Sequence, residues 1–291
     1  MAFPGVQPAF GPLLALFLPP RRGGGRPRQN AVGCPRAFLS SPAESDRFTA
    51  DMAVSRKRLL ENLQRVRDRI AESALKAGRD PEAVRLVAIT KSADLDDIKA
   101  LIELGVNDLG ESRVQQLVSR AEELAQWVGR RRKETPAYRW HMVGHLQRNK
   151  VRQVLDAAEV VHSVDSLRLA EEIDRRGAQI GRVTEVMLQV NCSEEPQKFG
   201  VAVGASSHLT EQMCTLEHLR VIGLMTMAPL DPNPEKARPT FTRLREIFED
   251  MRRDKVGGSD LRHLSMGMTQ DYPVAVEEGA TMVRIGTALF S

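Results

Sequence analysis

RLVAITKSADLDDIKALIELGVNDL, residues 85–109, is the stretch whose reading decides the fold. Arg85 to Thr90 is a short apolar run of strand character, Leu95 to Leu104 has the spacing of a helix, and Val106 to Leu109 returns to a strand. Strand, helix and strand in so few residues predict two parallel strands with the helix packed across them.

The same alternation continues outward. Further strands are predicted at Tyr138 to Val143, Val160 to Val164, Glu185 to Val190, Val221 to Thr226, His263 to Met266 and Met282 to Phe290. Helical spacing fills the intervals: Val114 to Val128, Asn149 to Ala157, Leu167 to Arg176, Ser207 to Leu216, Glu235 to Met251 and Pro273 to Glu278. Eight such units within residues 52–291 match the usual size of a single (β/α)8 TIM-type barrel of the α/β class. Upstream, Leu59, Leu63, Val66, Ile70 and Ala74 recur at three- and four-residue steps, so Val54 to Ala77 is an extra amphipathic helix, expected to cap one end. A doubly wound open sheet is the alternative, but no G-x-G-x-x-G follows the first strand.

Residues 1–51 read differently. Eight of the sixteen prolines and a run of three glycines (Gly23 to Gly25) lie there without helical or strand periodicity, and disorder is expected. The apolar run Leu13 to Leu18 is cut by Pro19 and Pro20, too short to span a bilayer. Its arginines follow the run instead of preceding it, which fits a secretory signal poorly. An organellar transit peptide and an over-extended start upstream of Met52 both stay open.

The formal net charge of +4 comes mostly from this leader, whose balance of +3 leaves +1 for residues 52–291. With 4% aromatic residues there is no broad stacking surface, so no nucleic-acid partner is expected. Cys34, Cys192 and Cys214 show neither C-x-x-C spacing nor histidines at metal-ligand intervals, so neither a metal nor a disulfide framework is expected.

In a barrel the chemistry gathers where strands end. Lys91 follows the first strand directly, where an apolar mouth lowers the cost of a neutral, nucleophilic amine. Arg284 lies inside the last strand, on the face of Met282 and Gly286 by period-two alternation, and a guanidinium there must be paired. Gly286 and Thr287 follow at once, and Ser265 and Gly267 end the preceding strand. The loops after strands seven and eight are the usual phosphate site of such barrels. Glu111, His141, His145, His162, Asp165, Asn191 and Ser193 are further polar strand ends without an assignable catalytic order. The residues alone point to a phosphate-binding barrel with a candidate amine.

Eight blocks in order add a resemblance: LVAITK (86–91), GES and VQ (110–112, 114–115), WHMVGHLQRNK (140–150), HSVD (162–165), QVNCSEEPQKFG (189–200), GLMTMAP (223–229), LSMGMTQD (264–271) and MVRIGTALF (282–290). From about Val54 to Phe290 the chain resembles the pyridoxal phosphate homeostasis protein family. The resemblance implies a fold-type III barrel for pyridoxal 5′-phosphate (PLP), similar to the N-terminal domain of alanine racemase. It implies Lys91 as the Schiff-base lysine, phosphate contacts from Ser265, Gly286 and Thr287, Asn191 in the cofactor site, and Arg284 facing the pyridine nitrogen. Two local departures stand out: Ser112 where the family commonly has Asn, and Ala93 and Asp94 where it has Lys-Pro.

The function expected on this basis is a cytoplasmic, monomeric PLP carrier or buffer that passes cofactor to apo-enzymes without catalysis of its own. A PLP-dependent amino-acid racemase is the alternative; such relatives take a second base from a C-terminal β-domain, for which nothing follows the eighth strand here. A module for some other phosphorylated metabolite is the third reading.

Overall fold

The computed structural model describes residues 55–131 and 135–291, so the expectations for residues 1–51 lie outside the described residues. Eight strands form a closed barrel in chain order: β1 (Arg85–Ile89), β2 (Asp108–Glu111), β3 (Arg139–Met142), β4 (Val160–Val164), β5 (Thr184–Gln189), β6 (Leu219–Met225), β7 (His263–Ser265) and β8 (Met282–Ile285). All neighbours pair in parallel, and β8 closes on β1 with Val87 opposite Arg284 and Ala88 opposite Ile285. The (β/α)8 barrel expected from the alternation is the observed fold, and the open sheet is not.

Around it run α1 (Arg56–Lys76), α2 (Leu95–Glu103), α3 (Val114–Arg130), α4 (Val151–Leu155), α5 (Leu167–Ile180), α6 (Ser206–Met213), α7 (Arg238–Arg253), α8 (Tyr272–Glu277) and the single turn α9 (Thr287–Phe290). Each helix buries one stripe, as in α5, where Leu169, Ala170, Ile173 and Gly177 face inward. Helix starts are fixed locally: Ser55 caps α1 by accepting from Arg58 N, and Asp94 with Asp97 forms a reciprocal capping box on α2.

Several expected boundaries shift. The first helix does not lie across an end. Asn62 donates to the Leu289 and Ser291 carbonyls beyond β8, while Arg79, just past the helix, donates to Ala280 O before β8 begins. α1 therefore runs along the flank, beside α8 and α9, where its apolar stripe closes the helical ring. β2 starts at Asp108 instead of Val106, because Gly105 turns the chain at φ +79° and the strand then continues to Glu111. β8 stops at Ile285; Gly286 leaves strand geometry at φ −118°, ψ −83°, and Thr287–Phe290 coils instead of extending to Phe290. Asn149 to Ala157 shortens to α4 behind a 3-10 turn at Arg148–Lys150.

Inside the barrel, Val87, Val160, Met187, Ile222, Met225 and Met282 form one apolar cluster, separate from the larger core between strands and helices. Gly110 leaves room for it: a Cβ there would come within 2.6 Å of the Ile89 side chain.

Candidate functional site

At the C-terminal mouth, the exits of β1 and β8 are neighbours. β1 ends at Ile89, and Thr90–Ser92 form a 3-10 turn that carries Lys91 into an exposed position. The β1–β8 register brings Gly286 alongside Ile89; a Cβ on Gly286 would approach the Ile89 carbonyl oxygen to 3.3 Å. Thr287, the next residue, is exposed at the same rim. Lys91, Gly286 and Thr287 thus meet at one edge of the mouth.

Beneath them lies Arg284, 5% exposed. Its Nη1 donates to Ser265 Oγ at 2.7 Å and its Nη2 to the Thr226 carbonyl at 2.9 Å. Among the described residues no carboxylate forms an ion pair with it, so the pairing expected for a buried guanidinium is met by neutral oxygens. Burial pushes Arg284 down to about 10, with Asp271 acting in the opposite direction. It remains a cation at neutral pH.

Ser265 is fully buried, and its oxygen also lies 2.9 Å from His162 Nδ1. From there a column descends through the interior: His162 Nε2 to His141 Nδ1 at 2.8 Å, then His141 Nε2 to Asp108 Oδ1 at 2.9 Å. Burial raises the Asp108 carboxyl, but the hydrogen bond from His141 and the charges of His141 and Arg139 outweigh it and hold the group at about 2. Burial keeps His162 well below the ordinary imidazole range, hence neutral. His141 donates from Nε2 to the Asp108 carboxylate, while the sense of the His141–His162 and His162–Ser265 links follows the imidazole tautomers. The Ser265 oxygen accepts from Arg284.

Ser265, expected at the phosphate loop, is placed at the top of this column, between His162 and Arg284. The following residue pair carries the chain out of β7, with Gly267 at φ +91° packed against Tyr272 and Ala275. Asn191 sits in the loop after β5, its Nδ2 donating to Glu195 O and its Oδ1 accepting from Ser193. It orders that loop, and among the described residues it makes no hydrogen bond with Lys91 or Arg284. In the same loop Lys198 pairs with Glu195, and Phe199 stacks on His145 with centroids 3.9 Å apart and planes 12° off parallel. His145 Nδ1 is 3.4 Å from Asp165, so the loops after β3, β4 and β5 meet at the rim opposite Lys91 in strand order.

The column itself was missed as a unit. Its signal was present: His141 and His162 occupy neighbouring strands at positions of inward parity, but period-two parity does not say that two rings meet edge to edge.

Comparison with known proteins follows the same lines. The family model described as alanine racemase, N-terminal domain, matches residues 54–291. A pyridoxal phosphate homeostasis protein of Aquifex aeolicus is 37% identical over 230 residues, 79% of this chain and 96% of the relative. The structure of PipY of Synechococcus elongatus with PLP bound is 32% identical, with a TM-score of 0.64, covering 76% of this chain and all of the other. Alanine racemase of Clostridium difficile shares the fold, at 16% identity and a TM-score of 0.60, covering 80% of this chain and 56% of the other.

Proposed function

The chain belongs to the pyridoxal phosphate homeostasis protein family, and from that premise we propose that it binds PLP at this mouth and takes part in intracellular PLP homeostasis as a carrier or buffer. One observation carries the reading: an exposed lysine, a glycine-threonine turn and a buried arginine converge where β1 and β8 exit side by side. These residues fit the group. A lysine amine suits its aldehyde, backbone N–H groups and the Thr287 hydroxyl suit its phosphate, and a donor-only guanidinium suits its ring nitrogen. When bound, PLP supplies an aldehyde that an amine can hold covalently and a ring that withdraws electrons when its nitrogen is protonated.

The chain's own residues then divide the work. Lys91 holds; Gly286 lets the backbone approach; Thr287 donates. Ser265 acts through Arg284, fixing the guanidinium that it accepts from. Asn191 shapes the far wall through its loop. Because a guanidinium gives protons in hydrogen bonds and does not yield one, Arg284 leaves the ring nitrogen unprotonated, which disfavours carbanion chemistry. We therefore propose a non-catalytic protein, a cytoplasmic monomer that delivers PLP to apo-enzymes. Among the described residues no helix is long and apolar enough to cross a membrane.

The test is the absorption spectrum of PLP-loaded protein before and after borohydride, with the reduced label mapped by peptide mass spectrometry. A visible band lost on reduction and a label on Lys91 are expected. A label on another lysine would remove Lys91 from the reading, and absence of any band would remove PLP. Deuterium exchange at the α-carbon of L- and D-alanine, against PLP alone, checks the non-catalytic part; exchange at racemase-like rates would overturn it.

A further inference from the structure

The turn that carries Lys91 is held from below by a side chain on a different element. Arg120, on α3, places Nη1 2.5 Å from the Thr90 carbonyl oxygen and 3.1 Å from Thr90 Oγ1, and Nη2 2.8 Å from the Ala93 carbonyl oxygen. One guanidinium thus grips the main chain on both sides of Lys91, at the residue before it and two residues after it. Its charge is met by Glu111, which is fully buried at the end of β2 and pairs with Arg120 through Oε2. The same Oε2 accepts from Thr90 Oγ1 at 3.0 Å, and Oε1 accepts from Ser112 N at 2.8 Å and Arg113 N at 3.4 Å. Both carboxylate oxygens are committed, so Glu111 is fixed by its own strand exit and in turn fixes Arg120.

We propose that Arg120, seated by Glu111, is a positioning residue for Lys91. Its planar fork locks the Thr90–Ala93 turn so that the lysine stem leaves the barrel in one direction. The chemistry favours arginine here: a fork of fixed geometry can bridge two carbonyls and still meet a carboxylate, whereas an ammonium on a flexible stem acts as a single point donor. Lys91 makes no hydrogen bond or ion pair among the described residues that could orient it, so the direction of its stem is set by the backbone beneath. Misplacement of a reacting group by about 1 Å can cost on the order of 10²-fold in rate.

The inference rests on the PLP reading and is tested so that the two can fail separately. The primary variant is Arg120→Lys, which keeps the charge beside Glu111 and loses the fork. The second is Arg120→Met with Glu111→Gln, which replaces the buried ion pair by neutral groups and so survives if a lone charge would unfold the chain. The matched control is Arg79→Lys: Arg79 also grips two carbonyls, Val276 O at 2.6 Å and Ala280 O at 2.9 Å, near the entry of β8 at the opposite end of the barrel from Lys91.

Each protein is mixed with PLP, quenched with borohydride at intervals and read by intact mass, alongside its melting temperature and hydrogen exchange of the peptide spanning residues 85–95. Roughly ten- to a hundredfold slower labelling of Lys91 is expected for both Arg120 variants, with faster exchange in that peptide. The Arg79 control is expected to label at the wild-type rate whatever its melting temperature. Labelling that tracks melting temperature across all variants, or unchanged labelling in Arg120→Lys, would overturn the clamp and leave PLP binding intact. If the wild type itself takes no label, the PLP reading fails, and unchanged exchange in the Arg120 variants then overturns the clamp independently.

Discussion

Arg284, in β8, and Lys91, on the turn that follows its partner strand β1, are held in opposite ways. Arg284 is the top of a buried column in which every link, down to Asp108, is a hydrogen bond of 2.7–2.9 Å. Lys91 is exposed on a turn whose main chain is fixed while its amine is left to solvent. A group meant to orient a ligand by standing still gains from burial, since a low local dielectric strengthens its bonds and packing removes its freedom. A group meant to bond covalently with a molecule arriving from solvent needs exposure. Stability and reactivity should therefore separate cleanly between the two regions.

Lys91→Ala gives the sharpest separation. Covalent capture of PLP should be lost completely, while the melting temperature stays within about 2 °C of wild type, as for a surface substitution that removes no packing. Differential scanning calorimetry beside borohydride labelling reads both. A large melting shift would show that the lysine stem is part of the packing, and the contrast with Arg284 would fail.

His162→Leu is the converse. It removes the middle of the column, leaving His141 Nδ1 and Ser265 Oγ each without its His162 partner, both fully buried. An unsatisfied buried polar group costs about 1–3 kcal/mol, so roughly 2–6 kcal/mol is expected for the pair, or about 4–24 °C in a barrel of this size. Lys91 should still be labelled. Wild-type stability in His162→Leu would mean that the column does not hold the interior together.

These two regions also differ in how far they could be read beforehand. Lys91, Gly286 and Thr287 were legible because they stand at strand exits, and strand exits follow from apolar periodicity alone. The inward parity of Arg284 with Met282 was legible for the same reason. What held Arg284 was not. Ser265 is legible as a residue at the end of the seventh strand, but its burial between His162 and Arg284 is not. Arg120 could not be found at all, because a helix residue thirty positions away reaches Thr90 only once the barrel has closed. The strand boundary at Phe290 failed through backbone geometry at Gly286, which composition does not reveal.

A pH series tests the column without mutation. His162 is held well below the ordinary imidazole value by burial, and His263 is lowered to about 4, chiefly by burial and then by Arg85. In the unfolded chain both would take up protons near 6.5, so on acidification the unfolded state binds more protons and stability falls. Both contributions are complete above about 6.5; that of His263 is lost progressively toward about 4, and that of His162 keeps falling with pH for as long as its buried ring stays neutral. The melting temperature should fall between pH 7 and pH 5, and the fall should be shallower in His162→Leu. A slope unchanged by that substitution would assign the acid sensitivity to His263 or another group.

The smallest expected effect is none, and it sets the baseline for the others. The reading of residues 52–291 as a self-sufficient barrel predicts that a chain begun at Met52 matches the full chain in melting temperature and in Lys91 labelling. The support lies at the start of α1. Ser55 caps the helix within the described residues, and Leu59, Leu63, Val66 and Ile70 are buried in the core of the barrel domain. Asn62 spends its side-chain amide on Leu289 and Ser291, tying the helix to the chain end beside β8. Among the described residues these anchors of α1 point downstream, and the Asn62 tie reaches the chain just beyond β8, at the β1–β8 edge where Lys91 and Arg284 stand. If removal of residues 1–51 lowered labelling but not the melting temperature, the leader would belong to the mouth. If it lowered the melting temperature but not labelling, the leader would belong to the scaffold, and the division between a reactive turn and a stabilising column would have to include it.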